Sequence, residues 1–436
     1  MSRPEALLVR GGTVIDETGE RRADVLVRDG VVAEVGEGLD APQGAEVLDA
    51  DGCVVAPGLV DIQVHFREPG REEAETIETG ARAAARGGFT AVVAMPNTEP
   101  PLDDAKVVRA VLEQGRGAAC RVTVAGCITR GRQGVDLAPL GELYDLGVRV
   151  FTDDGDCVAD ANVMRRAFEY SLGLPGAVIA QHAEDPALVT GGHMHEGAWS
   201  ARLGIPGRPA EAETTIVARD LALARLTGAR YHVLHLSAAG SVDLVRAAKA
   251  EGVRVTAEAS PQHFTLTDAE CASFDPVFKM NPPLREQRDV DAIVAGFVDG
   301  TLDAVATDHA PHAPETKERP FEEAPPGMLG VETALGVATT RLVETGTMTL
   351  AQVLAVMSWQ PARIGGLDRL GHGLPVAPGN PANLCVIDPA ATWVVDPDRL
   401  ASKSRNTPWA GWKLTGRARH TVLEGEPVVV DGEVRR

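Results

Sequence analysis

Positive charge is scarce in this 436-residue chain: 42 Lys and Arg stand against 62 Asp and Glu, a formal net charge of −20. Such a field attracts neither nucleic acid nor an anionic membrane, which excludes both as partners, and an anionic small substrate would need a cation placed locally. The six cysteines, at 53, 120, 127, 157, 271 and 385, form no CxxC pair and no dense pattern. That excludes a cysteine zinc knuckle and a disulfide scaffold, and fits reduced, mostly buried thiols in the cytoplasm. Cys157 lies just beyond Asp154 but has no basic neighbour to activate it, so packing is its expected role. No apolar run approaches the length of a membrane span, no cationic leader precedes one, and no repeat or low-complexity linker interrupts the chain. A soluble, unprocessed protein is expected, with apolar content (44%) ample for one large domain and a smaller one.

What the chain does have is a series of strand ends that carry chemistry. In the segment Pro57 to Gly70, side-chain alternation puts Asp61, Gln63, His65 and Arg67 on one face and Ile62, Val64 and Phe66 on the other. A polar row of this kind needs partners; a metal with an anionic ligand would supply them, and a half-exposed edge strand is the plainer alternative. Four later runs end in the same way. Val148 to Gly155 closes on two acids before a glycine turn, Ala177 to His182 and Tyr231 to Ser237 carry histidines at their ends, and Ala304 to His312 passes through Asp308. Histidines and carboxylates recurring at the carboxyl ends of successive strands suggest a parallel barrel whose rim collects them.

Strand parity refines the set. Asp154, not Asp153, continues the face of Val148, Val150 and Thr152, and His232 is expected to point away from the barrel axis, opposite to His235. His193 and His195 have metal-like spacing but sit in a Gly-rich connection, where exposure is expected. Ser237 and Thr307 lack the base arrangement of a covalent nucleophile, and His263, His309, His372 and His420 carry no ligand claim.

Residues 6 to 58 alternate short β-rich runs with Gly and Asp turns, and the end of the chain does the same, so residues 1–58 and 366–436 are read as one composite β-sandwich. Between them, over 59–365, strand-like runs begin near Leu59, Thr90, Arg121, Gly147, Ala177, Tyr231, Arg254 and Ala304. Helical spacing fills the intervals, as in Glu72 to Arg86, Ala105 to Gln114, Ala210 to Leu226 and Ser241 to Ala250. The expected class is α/β, a (β/α)8 TIM-type barrel with a small β-sandwich built from both chain ends. The stretch from His309 to Gly330, rich in Pro and Glu, is expected to be an active-site loop.

Several strings add specificity: Asp61 to Gly70, Met95-Pro96-Asn97-Thr98, Phe151 to Gly155, Met280 to Arg285, Ala306 to His312 and Ser402 to Pro408. Through them, over essentially its whole length, the chain resembles the amidohydrolase superfamily and, within it, the class I dihydroorotases. The resemblance implies reversible cyclisation of N-carbamoyl-L-aspartate to L-dihydroorotate in pyrimidine biosynthesis, with one or two zinc ions. It implies metal ligation by His65, Asp154, His182, His235 and Asp308, with Asp154 bridging and Asp308 also moving the catalytic proton. It gives Arg67 the substrate carboxylate, and gives Asn97, Asn281, His312 and the backbone of Pro326 and Gly327 the remaining substrate contacts. It is compatible with a homodimer and with a complex with aspartate transcarbamoylase.

The family's first strand carries His-x-His, whereas this chain has Gln63 at the first of those places. A neutral amide oxygen is a poorer zinc donor than imidazole, so one metal site is expected to be weakened. Two other readings stay open. A catalytically impaired scaffold for aspartate transcarbamoylase draws its support from Gln63. A related cyclic amidase, hydantoinase or allantoinase, would by resemblance bridge its metals with a carboxylated lysine, and no lysine lies between Gly147 and Gly155.

Overall fold

Runs of small and β-branched apolar residues alternate with amphipathic helices through the middle of the chain, and in the computed structural model, which describes residues 4–436, they close a parallel barrel. Leu59–Val64, Phe89–Ala94 and Arg121–Val124 form one arc of three strands. Val150–Phe151, Val178–Gln181, Tyr231–Val233, Val255–Ala259 and Ala304–Val305 form an arc of five. Single parallel bridges, Gly126 to Phe151 and Val64 to His309, join the arcs at both seams. All eight strands fall where the sequence pattern places them.

Two apolar layers hold the barrel. Inward residues of successive strands, among them Val60, Val93, Val150, Ala180 and Leu234, cluster with Ala362, Ile364 and Leu367, which follow the barrel and close its floor. Outward residues such as Val92, Val122, Ile179 and Val233 pack against Ile216, Leu221, Val242 and Ile293 from the surrounding helices. Each such fully buried Val, Leu or Ile contributes about 1.5–3 kcal/mol of transfer free energy. The helices Ala105–Gln114, Glu211–Thr227 and Ala239–Ala250 match the helical spacing closely. The stretch 72–86 is helical only over Ile77–Arg86, because Thr76 caps it in a reciprocal box with Thr79, while Glu75 stays outside the helix and turns into the protein.

Strands from the two chain ends share one seven-stranded sheet. Val54–Pro57 pairs antiparallel with Leu384–Val394, which pairs with Lys413–Leu423; Thr13–Asp16 joins on the other side. A four-stranded sheet, all from the first 49 residues, stacks against it over a core of Leu7, Val25, Val55 and Val386. The result is a barrel with a β-sandwich built from both termini.

One local irregularity sets up the site. The first barrel strand slips register against its neighbour between Asp61 and Val64. Ile62 stays with Val60 in the barrel interior, Gln63 and His65 past the slip also turn inward, and Asp61 is left out of the polar row: its oxygens accept from the Thr307 hydroxyl at 2.6 Å, the Thr307 N–H at 3.2 Å and the Gln63 N–H at 3.1 Å. Simple alternation, which grouped Asp61 with Gln63 and His65, fails at this bulge. Among the described residues no helix is long and apolar enough to cross a membrane.

Candidate active site

The carboxyl ends of the strands converge on a cavity of about 250 Å³ lined by His65, Arg67, Asn97, Asp154, His182, His235, Asn281, Asp308, His312, Pro326 and Gly327. Gln63 lies buried behind Asp154. Three residues absent from the sequence reading, Arg71, Arg132 and Pro325, also line it. A second cavity of about 270 Å³ opens at the other end of the barrel, near Leu367; its walls carry arginines and apolar groups but no carboxylate or imidazole, so it offers no acid–base or metal chemistry.

At the centre, His182 Nδ1 lies 2.9 Å from His235 Nε2, and Asp154 Oδ1 lies 3.3 Å from His235 Nε2 and 3.6 Å from His182 Nδ1. Two ligand atoms held about 2.0–2.2 Å from one tetrahedral ion sit roughly 3.3 Å apart, so this spacing suits a shared divalent cation. The tautomers agree. Glu184 Oε2 accepts from His182 Nε2 at 3.0 Å and from Arg208 Nη1 at 3.0 Å, which fixes the ring proton on Nε2 and leaves the Nδ1 lone pair facing the centre. Burial opposes charge on His182, yet hydrogen bonds to Asp154 and Glu184 outweigh it and raise its pKa to about 10, so without a cation the ring would also carry a proton on Nδ1, the proton that a bound metal ion would displace. Burial likewise opposes charge on Asp154, and its bonds with His182 and His235 hold it well below the usual carboxylate range. The centre stabilises positive charge, and its donor set of two imidazoles and a carboxylate fits a metal ion.

Beside it, His65 Nε2 lies 3.0 Å from Asp308 Oδ1 and 3.3 Å from Asp154 Oδ2, while its Nδ1 meets Asn97 Oδ1 at 2.9 Å. With Nδ1 donating to the amide oxygen, the Nε2 lone pair points between two carboxylates, an arrangement that a cation again resolves. Gln63 Nε2 donates to Asp154 Oδ1 at 3.2 Å, and its Oε1 is buried with no partner among the described residues.

Across the cavity, Arg67 Nε donates to the Pro311 carbonyl at 3.0 Å, and among the described residues no carboxylate pairs with its guanidinium. Burial lowers its pKa to about 9, which leaves it charged at neutral pH. Burial, then the nearby Arg67, push His312 down to about 2, so it is a neutral ring; its Nε2 donates to the Pro326 carbonyl at 2.8 Å. Arg67, Arg132, His235 and Asp308 all have left-handed backbone, with φ of +63°, +57°, +29° and +47°. Strain of about 1–3 kcal/mol per residue persists where the surroundings over-determine it. For Asp308 these surroundings are specific: Thr307 is held by Asp61, and His309 Nε2 lies 3.4 Å from Glu75, which also takes the Ser402 hydroxyl. The stretch 309–330 holds one short helix, Pro314–Lys317, and is otherwise irregular.

Asp153 stays out of the centre and accepts from the N–H groups of Ile128 and Thr129. Two histidines depart from expectation. His195 is buried rather than exposed, because Met194–His195 pairs with Gly207–Arg208 as a short parallel ladder. Arg285 Nη1 donates to His195 Nδ1 at 3.1 Å, so the ring proton sits on Nε2 and the lone pair is not free to bind an ion together with the neighbouring Glu286 and Asp289. His232 does not point outward: it bonds Thr256 Oγ1 at 2.8 Å and Glu258 Oε2 at 3.0 Å inside the barrel. Parity misled here because the strand ends at Val233 and the turned backbone at His235 swings that ring inward as well. Burial pushes Glu258 up to about 8 and His232 down to about 3, which makes an uncharged pair beneath the centre. Glu184 had a sequence signal, an acid two residues past a strand-end histidine; Glu258 and Glu75 had none.

The family model described as Dihydro-orotase-like matches residues 52–241. A dihydroorotase from Streptomyces coelicolor is 50% identical over 430 residues, covering 98% of this chain and 99% of the relative. One from Mycobacterium tuberculosis is 48% identical over 434 residues, covering 99% and 100%. Among solved structures, L-hydantoinase (dihydropyrimidinase) from Arthrobacter aurescens superposes with a TM-score of 0.89 at 25% identity, covering 99% of this chain and 97% of that one. Barrel, sandwich and site strings agree with full-length relatives at this identity, and the chain belongs to the dihydroorotase family of amidohydrolases.

Proposed function

We propose that the chain catalyses the reversible cyclisation of N-carbamoyl-L-aspartate to L-dihydroorotate, and that zinc is its metal. The observation that carries this reading is the convergence of Asp308 and His65 on the Asp154, His182 and His235 centre, opposite an Arg67 fork that no carboxylate of the described residues pairs. One or two zinc ions, when bound, supply Lewis acidity that brings water toward ionisation near neutral pH. Asp154, His182 and His235 would hold one ion, and His65 and Asp308 would turn toward a second.

In the hydrolytic direction Asp308 accepts a proton from the attacking water and passes it to the departing ring nitrogen; ring closure reverses the transfer. Arg67 binds the carboxylate that open and closed forms share, Asn97, Asn281 and His312 orient the rest, and the Pro326 and Gly327 backbone lies along the ring. The barrel, 59–365, carries this chemistry, while 1–58 with 366–436 form the composite sandwich; residues 1–3 lie outside those described. Retention of Asp308, Arg67, Asn97, Asn281 and His312 speaks against a non-catalytic scaffold, and identity of 50% to a dihydroorotase against 25% to a hydantoinase speaks against the latter activity. A cytoplasmic location draws support from six unpaired cysteines. A homodimer, or a complex with aspartate transcarbamoylase, rests on the family resemblance, and light scattering with and without that enzyme tests it.

The decisive assay is cyclisation of carbamoyl aspartate by zinc-loaded protein; absence of dihydroorotate at every metal loading would remove the reading. Arg67→Lys should raise KM for carbamoyl aspartate by about tenfold or more, because a point ammonium cannot reproduce the two-pronged contact. Unchanged kinetics would take Arg67 out of the site. Purified protein should hold closer to one tight zinc than two, with Gln63→His gaining the second, since it places an imidazole beside Asp154 two residues from His65. Two tight zincs in the unmodified chain, counted by elemental analysis, would show that the amide oxygen suffices.

A further inference from the structure

The string Ser402 to Pro408 has no part in the chemistry above, yet it runs from the end segment back across the barrel mouth. Its Asn406 is only 6% exposed, and both polar atoms of its side chain are engaged. Oδ1 accepts from the His312 N–H at 3.1 Å, and Nδ2 donates to the carbonyls of Ala310 at 2.9 Å and Gly327 at 3.1 Å. The Asn406 carbonyl accepts from Leu329 at 3.0 Å. One amide thus joins the chain leaving Asp308, the backbone that carries the His312 ring and the turn Pro325–Gly327.

That turn is pinned from other sides too. Gly327 N–H donates to the Lys279 carbonyl at 2.8 Å, and Lys317 Nζ donates to the Pro325 carbonyl at 2.8 Å. Gly327 has φ of +138°, and a Cβ there would come within 2.8 Å of both Ala310 Cβ and His312 Nε2. Opening the turn as a lid would break these bonds together and leave buried carbonyls unpaired.

We propose that Asn406 is a positioning residue: it fixes the spacing between His312 and the Pro326–Gly327 backbone, so that the substrate meets a rigid wall instead of a closing lid. The proposal rests on the dihydroorotase reading, because that reading puts substrate against this wall. Removing the amide loosens a surface that binds the ground state and the transition state alike, which acts on KM more than on kcat.

The test is steady-state kinetics on the full zinc-loaded chain. Asn406→Ala should raise KM for carbamoyl aspartate about tenfold, with kcat within about threefold and zinc content unchanged. An unchanged KM, or a lowered melting temperature with no kinetic change, would overturn the role and leave Asn406 a purely structural tie. If that variant does not fold, Lys317→Met, which releases Pro325 from outside the cavity, should raise the same KM, and an unchanged KM there overturns the proposal equally. A parent protein that does not turn over would sink the functional reading and this role with it.

Discussion

Replacing Asp308 with asparagine is expected to lower kcat for cyclisation by about 100- to 10,000-fold while leaving the fold and most of the bound metal in place. The amide matches the carboxylate in size, so neither the Asp61 hold on Thr307 nor the Glu75 hold on His309 is disturbed. The left-handed backbone at this position is retained as well, since asparagine tolerates φ near +47° better than most residues. What is lost is the ability to take a proton. His65 keeps a neighbouring oxygen or nitrogen at about the same place, but the substituted amide has no lone pair basic enough to carry a proton from water to nitrogen. Wild-type turnover in this variant, measured by dihydroorotate formation, would remove Asp308 as the proton carrier.

His182→Ala and His235→Ala are each expected to weaken the tightest zinc by more than about 100-fold, a larger loss than the 10- to 100-fold typical of groups that only orient a ligand. Each change deletes one of three donors separated by 2.9–3.6 Å. His195→Ala should leave the metal affinity unchanged, because that ring is tied to Arg285 in a separate ladder. Chelator competition separates the outcomes: a loss from His195→Ala equal to those from His182→Ala and His235→Ala would mean that the three-donor centre is not what sets the affinity.

The barrel was legible because its strands are short apolar runs bounded by turn residues, and the sandwich because both chain ends repeat that pattern without helical intervals. The chemistry was legible where a polar group closes a strand, as at Asp154, His182 and Asp308. Prediction failed where periodicity breaks. The register slip after Asp61 and the turned backbone at His235 each shift a side chain to another face, and no residue type announces either. His195 was misjudged because a Gly-rich connection looks exposed until Gly207–Arg208 pairs with it from the next loop. Glu75, Glu258 and Asn406 act on residues hundreds of positions away in some cases, and spacing along the chain carries no trace of such contacts.

The two arcs of the barrel meet through one bridge at each seam, Gly126 to Phe151 and Val64 to His309. His65 and Asp308 stand on opposite sides of the second seam and bond across it, and Gln63 of the shorter arc reaches Asp154 of the longer. The polar centre is therefore also a clasp on a split ring. Whatever steadies Asp154, His182 and His235 steadies the short arc through Asp154, so resistance to heat and to proteolysis at the seams is expected to rise with occupancy of the centre.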